Sequence, residues 1–173
     1  MVSLRTLTST VKQTAVSVRF LKDRVPEGVD VYAYPQLKGK HRSEVFKGKR
    51  AVIVLIPKRG SPMGHFICLI PKNSHIEYFS SLGNSWTTEL AALKEPTEIF
   101  RELLGKNFIY NKTPLQSGAY SINSCAAWVL CRAFLHKLKL REFVTLFTGK
   151  VTLQSSDDIV AIMSVLLFVD KRS

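Results

Sequence analysis

The 173-residue chain lacks several features that would assign it to a particular class of protein. No segment reaches the roughly 18 uninterrupted apolar residues of a membrane-spanning helix. The apolar run at residues 159–169 is too short and follows two aspartates, so it predicts a core helix. The N-terminus lacks the central apolar block of a secretory signal, and the chain contains no internal repeat or low-complexity tract. These absences favour a globular domain without a transmembrane segment.

Cysteine is scarce as well. The three cysteines, Cys68, Cys125 and Cys131, are an odd number without paired spacing, which favours free thiols in a reducing compartment. We therefore expect an intracellular location, in the cytoplasm or the nucleus, rather than secretion. No second pair of histidine and cysteine residues stands at ligand spacing, so a structural zinc site is not expected. Nothing in the sequence requires a cofactor.

Acidic residues are few relative to basic ones. The chain has 25 Lys and Arg against 13 Asp and Glu, a formal net charge of +12. The basic residues concentrate at 38–42, 47–50, 58–59 and 136–141. An ordinary solvated surface explains part of this surplus, but a field of this sign also attracts polyanions. We expect sequence-independent binding of DNA or RNA through phosphates, since the basic clusters lack the interleaved aromatics that stack on bases.

The composition is that of a compact domain. With 46% apolar residues, the chain is long enough to bury one core, and a single domain over residues 1–173 is the default, with a monomer assumed. The stretch up to about residue 25 is expected to be a peripheral arm or helix. Strands are predicted at 50–56, 65–70, 75–79 and 107–110, and helices at 96–104, 125–139 and 157–169. This order predicts an α+β fold in which the helix starting at Cys125 packs on a small mixed or antiparallel sheet.

Cys125 is the most informative residue of the chain. It begins an amphipathic helix directly after a polar loop, and a thiol in the first helical turn has a lowered pKa because it lies at the positive end of the helix dipole. Most cysteines are inert core residues, so this position alone does not decide its role. His65, at the start of an apolar strand, and Gln116, after residues 113–115, precede it in the chain. The three residues supply a base, an oxyanion donor and a nucleophile.

The hairpin that follows His65 predicts where an orienting group would lie. If residues 71–74 form the turn, residue 70 opposes residue 75, and His65 falls directly opposite Ser80. A hydroxyl accepts a hydrogen bond from the imidazole but has no charge to stabilise an imidazolium. The candidate site is therefore a Cys125–His65 dyad, oriented by Ser80, by the amide of Asn84 or by a water molecule. Ser80→Asp is expected to raise activity or shift its pH profile, because it would supply the missing charge.

Four short segments, taken in order, resemble a known group of enzymes. They are Gly-His-Phe-Ile-Cys-Leu-Ile at 64–70, Ile-Glu-Tyr-Phe-Ser-Ser-Leu-Gly at 76–83, Leu-Gln at 115–116, and the helix start around Cys125. Together they resemble the superfamily that contains the adenovirus maturation protease and the SUMO-specific proteases. The resemblance covers about residues 50–140, and its specificity lies in the order and spacing of the motifs. The family carries an acid where this chain has Ser80, and often a glycine where it has Ala126.

The resemblance implies a fold and an activity. It implies the adenain-like α+β fold and a cysteine endopeptidase in which His65 activates Cys125 and Gln116 lines the oxyanion hole. The substrates would be peptide bonds in structural proteins of a virus or mobile element, cleaved during maturation, with DNA as a stimulating polyanion and packaging in a virion. Two alternatives stay open, an isopeptidase for ubiquitin-like modifiers and a catalytically silent descendant that binds nucleic acid or protein.

Overall fold

The computed structural model describes residues 16–60, 64–117, 124–148 and 155–169. The strands in these ranges are β1 (Val29–Ala33), β2 (Ala51–Pro57), β3 (Gly64–Pro71), β4 (Ile76–Ser80) and β5 (Phe108–Tyr110). The helices are α1 (Val18–Lys22), α2 (Arg42–Phe46), α3 (Trp86–Leu93), α4 (Glu98–Leu104), α5 (Cys125–Phe134), α6 (Leu140–Thr148) and α7 (Ser156–Val169), and a short 3-10 helix spans Tyr34–Leu37. None of the described helices has the length and apolar character that crossing a membrane requires.

The strands form one mixed sheet in the order β1-β2-β3-β4-β5. The central strands β2, β3 and β4 are antiparallel to their neighbours in that set, whereas the edge strands β1 and β5 pair in parallel with β2 and β4. The α+β prediction, with a small mixed sheet and the helix of Cys125 packed on it, is confirmed.

Helices cover both faces of the sheet, because the side chains of its central strands are apolar on both sides. On one face, Phe66 and Cys68 of β3 share a core with Trp128 and Val129 of α5. On the other face, Ile67 of β3 belongs to a second core, built with the 3-10 helix, α2, α3 and α4. His65 and Ile67 stand two residues apart on β3, so their side chains project to the same side, the side of α3.

The predicted strands agree with the structure to within about one residue, but the predicted register of the β3–β4 hairpin is wrong. Pro71 is the last residue of β3 and pairs with Ile76, and the turn is closed by a hydrogen bond from the N–H of Lys72 to the carbonyl of His75. Ser80 therefore lies opposite Ile67 rather than His65. The sequence pattern places the proline in the turn, but it occupies a strand end.

The helix predicted at 125–139 is also too long. It ends at Phe134, and α6 begins after a break in which the Arg132 guanidinium donates hydrogen bonds to the carbonyls of Leu135 and Leu138. These carbonyls are satisfied by a side chain instead of a continuing helix. The helices predicted at 96–104 and 157–169 are present as α4 and α7. Of the predicted N-terminal arm, residues 1–15 lie outside the described residues, and Leu21 of α1 is buried in the core of the α5 face.

Candidate active site

The candidate site lies at the end of the sheet where β3 begins and β4 ends. His65, the second residue of β3, is buried, with 7% of its surface exposed. Its Nε2 atom is 3.2 Å from the Oγ atom of Ser80. The two residues are diagonal rather than direct neighbours across the hairpin, and an imidazole is long enough to span that separation. The structure thus brings His65 and Ser80 together by a different register from the predicted one.

Ser80 links His65 to a buried carboxylate, Glu89, on α3. The Ser80 hydroxyl donates a short hydrogen bond to Oε1 of Glu89 and accepts one from the backbone N–H of Leu82. Oε1 of Glu89 is also 3.6 Å from Nε2 of His65. The hydroxyl has one proton to donate, and it is directed at the carboxylate, so its remaining lone pairs face the imidazole and the Leu82 amide. The site therefore contains an acid, although the sequence motifs indicate none.

Glu89 was missed because α3 was not predicted. A signal for the helix existed: Ser85 precedes Trp-Thr-Thr-Glu-Leu-Ala-Ala-Leu, and Ser85 does cap the helix, accepting from the N–H of Thr88. Glu89 falls on the inner face of this helix beside Leu90, and 2% of its surface is exposed. A glutamate is seldom buried without a partner, and here its partners are Ser80 and His65.

Cys125 is the first residue of α5 and is partly buried. Burial, the largest influence, raises the pKa of the thiol, but a hydrogen bond and ion-pair attraction with His65, with hydrogen bonds from the backbone of Phe66 and Ala126, lower the pKa below its ordinary value. Burial would lower the pKa of His65, yet the hydrogen bond and charge of Cys125, followed by the charge of Glu89, raise it. The surroundings favour a thiolate–imidazolium pair.

The other two thiols lie in different surroundings. Cys68 and Cys131 are fully buried. Burial raises the pKa of each to about 12. Their thiolates are therefore not populated at neutral pH, and a thiolate is the reactive form of cysteine. Of the three cysteines, Cys125 alone has a lowered pKa.

Gln116 is held at the same end of the sheet. Its Oε1 atom accepts a hydrogen bond of 2.7 Å from the hydroxyl of Ser81, the neighbour of Ser80. Its backbone N–H, together with that of Leu115, donates to the carbonyl of Ser81. Since the side-chain carbonyl is turned toward Ser81, the amide nitrogen is directed away from it. The side chain thus has a fixed orientation, as an oxyanion donor requires.

Gly83 allows the segment that follows β4 to pack closely against the segment that precedes Gln116. Its φ angle is +72°, and a Cβ atom there would lie 2.7 Å from the backbone nitrogen of Pro114, two residues before Gln116. A glycine is required both for the left-handed conformation and for the close backbone contact. The segment that follows β4 therefore sets the position of Gln116.

Asn84 does not take the predicted orienting position. It lies between β4 and α3, and no hydrogen bond joins it to His65 in the described part of the chain. A different asparagine, Asn111, supports the site: its Oδ1 accepts from the N–H of Ser80 and its Nδ2 donates to the Ser80 carbonyl. Asn111 is buried and fixes the backbone from which the Ser80 hydroxyl projects.

The described residues contain no group of three or more His, Cys, Asp or Glu side chains arranged to bind a metal ion. The site combines the side-chain types that nucleophilic catalysis requires. Cys125 provides a thiol, His65 provides a base, Ser80 can orient the imidazole, and Glu89 can stabilise its protonated form. Gln116 adds a side-chain amide at the same end of the sheet.

Comparisons with known proteins give distant structural matches. No family model and no curated protein matches the chain. Among solved structures, the chain is similar to the SUMO protease Ulp1 with its catalytic cysteine oxidised to a sulfinic acid, at 14% identity over 97% of this chain and 78% of that chain, with a TM-score of 0.41. It is also similar to the central domain of the uncharacterized Lpg1148 protein from Legionella pneumophila, at 14% identity over 94% and 95% of the two chains, with a TM-score of 0.42. At these TM-scores the function has to be inferred from the geometry of the site itself.

Proposed function

We propose that the protein is a cysteine peptidase in which Cys125 is the nucleophile and His65 is the base. Ser80 orients the imidazole, Glu89 stabilises its protonated form, and Gln116 binds the oxyanion. The observation that carries this proposal is the buried His65 imidazole, whose Nε2 atom lies 3.2 Å from the Ser80 hydroxyl and 3.6 Å from the Glu89 carboxylate. The interaction of the same imidazole with Cys125, at the start of α5, lowers the pKa of the thiol. A buried imidazole bonded to a thiol on one side and to a hydroxyl and carboxylate on the other is the arrangement of a catalytic triad.

The reaction proceeds by acyl transfer. The Cys125 thiolate attacks the substrate carbonyl carbon, the C–S bond forms, and the negative charge moves to the carbonyl oxygen, where the Gln116 amide and a backbone N–H at the start of α5 donate hydrogen bonds. The His65 imidazolium then protonates the leaving amine as the C–N bond breaks. Water, deprotonated by His65, hydrolyses the thioester and releases the acid and the free thiol.

The Ser80–Glu89 pair acts on the imidazole. Since Nε2 of His65 faces Ser80 and Glu89, we infer that Nδ1 faces the thiol. The hydroxyl accepts the Nε2 proton in a hydrogen bond and so fixes the ring orientation and tautomer. The carboxylate stabilises the imidazolium, because it is buried 3.6 Å from Nε2 with little water to screen it. The hydroxyl and the carboxylate together replace the single acid of the resembled family.

For the substrate, we propose peptide bonds, as in the maturation of structural proteins of a virus or mobile element. The isopeptide bond of a ubiquitin-like modifier is the alternative, since the same acyl chemistry cleaves both bonds. A catalytically silent binding protein is less well supported. A protein without catalytic activity has no need of a thiol with a lowered pKa at Cys125 or of a buried acid next to His65. An intracellular site of action, with packaging in a virion, completes the proposal.

Two experiments test the activity. In the first, iodoacetamide is added near pH 6 and the alkylated cysteines are identified by mass spectrometry. Cys125 should react, and Cys68 and Cys131 should not, because their thiolates are absent.

In the second experiment, wild-type and Cys125→Ala proteins are each incubated with a denatured proteome and with conjugates of ubiquitin-like modifiers. New peptide ends in the proteome support the peptidase, and release of modifier alone supports the isopeptidase.

The matched control is Cys131→Ser, which alters a thiol of the same helix six residues further on. It should keep cleavage per folded molecule, even if the folded fraction falls. Cleavage that persists in Cys125→Ala, or wild-type protein that cleaves nothing and alkylates no faster at Cys125 than free cysteine does, would reject the proposal.

We also propose that the protein binds DNA or RNA through its basic surface, with DNA as a stimulating polyanion. The observation in favour is the segment from residue 38 to residue 50, which carries six basic residues against one acidic residue, Glu44. Lys38, Arg42 and Lys47 in this segment are exposed, whereas Lys49 is paired with Asp30 at 2.9 Å. Exposed cations at this density can neutralise phosphates.

A further inference from the structure

A buried carboxylate that the mechanism above does not use joins the two halves of the candidate site. Asp157, in the first turn of α7, has 2% of its surface exposed. Its Oδ2 atom accepts a hydrogen bond of 2.8 Å from the backbone N–H of Ser117, the residue after Gln116. Its Oδ1 atom accepts from the hydroxyl of Ser124, the residue before Cys125, and from the indole Nε1 of Trp128 at 2.9 Å.

Each of these contacts lies one residue from a proposed catalytic group, or one turn from it. Ser117 directly follows Gln116 and Ser124 directly precedes Cys125, and a single carboxylate accepts hydrogen bonds from both. Trp128, fully buried, ties the same carboxylate to the core side of α5. Three hydrogen bonds to one carboxylate are more than a capping role at the start of α7 would need.

The contacts on Gln116 are complementary. Ser81 holds its backbone N–H and its side-chain carbonyl from one side, and Asp157 holds the following peptide N–H from the other. With only one of these supports, the amide nitrogen could shift relative to the sulfur. Oxyanion stabilisation depends on donor positions within a few tenths of an ångström, and a displacement of about 1 Å can cost on the order of 100-fold in rate.

We propose that Asp157 is a positioning residue that fixes Gln116 relative to Cys125, so that α7 is an essential part of the oxyanion-binding machinery. This inference rests on the proposed cysteine peptidase activity.

Asp157→Asn gives a selective test. The amide oxygen stays toward the two donors at the Cys125 side, Ser124 before α5 and Trp128 within it, so the amide nitrogen must face the N–H of Ser117, where two donors meet. The substitution thus breaks the contact on the Gln116 side and keeps those on the Cys125 side. Removing a negative charge near the thiol can only favour the thiolate, so a loss of rate cannot come from lost thiolate.

Two probes separate the steps. Iodoacetamide alkylates the thiolate by displacement of iodide, without an oxyanion. p-Nitrophenyl acetate is attacked at its carbonyl: the C–S bond forms, an oxyanion develops, and the C–O bond breaks to release p-nitrophenolate. For Asp157→Asn we expect alkylation of Cys125 to stay within about twofold of wild type and acylation to fall on the order of 10- to 100-fold. The matched control, Asp158→Asn, removes the same charge from the same helical turn and should change neither rate.

The outcomes are distinct. An unchanged ratio of acylation to alkylation in folded Asp157→Asn would overturn the positioning role, as would a parallel fall of both rates. If Asp157→Asn does not fold, Trp128→Phe decides, because it removes one donor to the carboxylate and keeps an aromatic ring; the same ratio should fall by a smaller factor, and an unchanged ratio rejects the inference. If wild-type Cys125 reacts with both probes no faster than free cysteine, the peptidase proposal fails and this inference with it.

Discussion

Ser80 connects the imidazole of His65 to the carboxylate of Glu89 through a single hydroxyl. The hydroxyl transmits orientation by its hydrogen bonds, whereas the charge that raises the pKa of His65 comes from Cys125 and Glu89. Orientation and charge are thus divided between a strand residue, Ser80, and a helix residue, Glu89. The division can be tested one residue at a time.

The first test moves the carboxylate from position 89 to position 80. Sequence alone predicts that Ser80→Asp raises activity or shifts its pH profile. A carboxylate at position 80 would, however, face Glu89, and two adjacent carboxylates cannot both ionise without cost. We expect Ser80→Asp to lower kcat/KM and the melting temperature. Glu89→Gln should then restore activity in the Ser80→Asp background, although it lowers activity in the wild type. Measured kcat/KM values for the four proteins form a double-mutant cycle. Additive effects would show that the two positions do not interact.

The role proposed for Gln116 is in the transition state rather than in substrate binding. Gln116→Ala should lower kcat by roughly 100- to 1,000-fold with little change in KM, as for the loss of one oxyanion donor. Ser81→Ala, which removes the hydrogen bond to Oε1, should lower kcat by a smaller factor. Steady-state kinetics on a peptide substrate provide the measurement. Normal kcat in Gln116→Ala would reduce this side chain to a loop residue without a catalytic role.

At the scale of secondary structure, the sequence predicted the strands of the hairpin and the helix of Cys125, because their apolar runs are long and bounded by Pro, Asn and Ser. Helix α3 was not predicted, because its first turn, Trp-Thr-Thr, has weak helix propensity. Ser85 was therefore not recognised as the cap of a helix. Glu89 was lost with it. The distance between Glu89 and His65 depends on how α3 packs on the sheet, and no local pattern in the sequence carries that information.

Helix α5, which begins at Cys125, is attached to the sheet by a buried ion pair. Arg132 of α5 donates to both carboxylate oxygens of Glu77 on β4, at 2.7 and 2.9 Å, and both residues are buried. Removing one partner leaves the other charge unpaired in the core, so Glu77→Gln and Arg132→Met should each lower the free energy of unfolding by about 3–5 kcal/mol. Denaturant unfolding measures the effect. Losses below about 1 kcal/mol, typical of exposed pairs, would contradict the assigned role.

At the scale of the whole molecule, the net charge of +12 predicts salt-dependent binding to nucleic acid. Reversing the exposed Lys38, Arg42 and Lys47 should weaken binding to a short DNA duplex and reduce the slope of log affinity against log salt by about 0.9 for each phosphate that is no longer neutralised. The matched control reverses the exposed Lys137, Lys139 and Arg141, the same change in charge. Fluorescence anisotropy over a salt series gives both slopes. Equal losses in the two variants would indicate a diffuse field instead of a binding surface.

The central claim is that the negative charge of Glu89 stabilises the imidazolium of a Cys125–His65 ion pair. The pH dependence of turnover tests this claim most directly. The pair exists between the lowered pKa of Cys125 and the raised pKa of His65, so the rate should rise through the first and fall through the second. Without the charge of Glu89 the imidazolium is less stable. The His65 limb then moves to lower pH, and the Cys125 limb moves to higher pH because the thiolate loses its cationic partner.

The measurement is kcat/KM from about pH 4 to about pH 10 for wild type, Glu89→Gln and the control Glu98→Gln, which removes an exposed charge from the neighbouring helix α4. We predict a bell-shaped profile that narrows from both sides in Glu89→Gln, with a maximum lower by roughly 10- to 100-fold because the imidazolium loses a buried negative partner. Glu98→Gln should follow the wild type. A Glu89→Gln profile that superimposes on the wild type would contradict the assignment of the acid to α3.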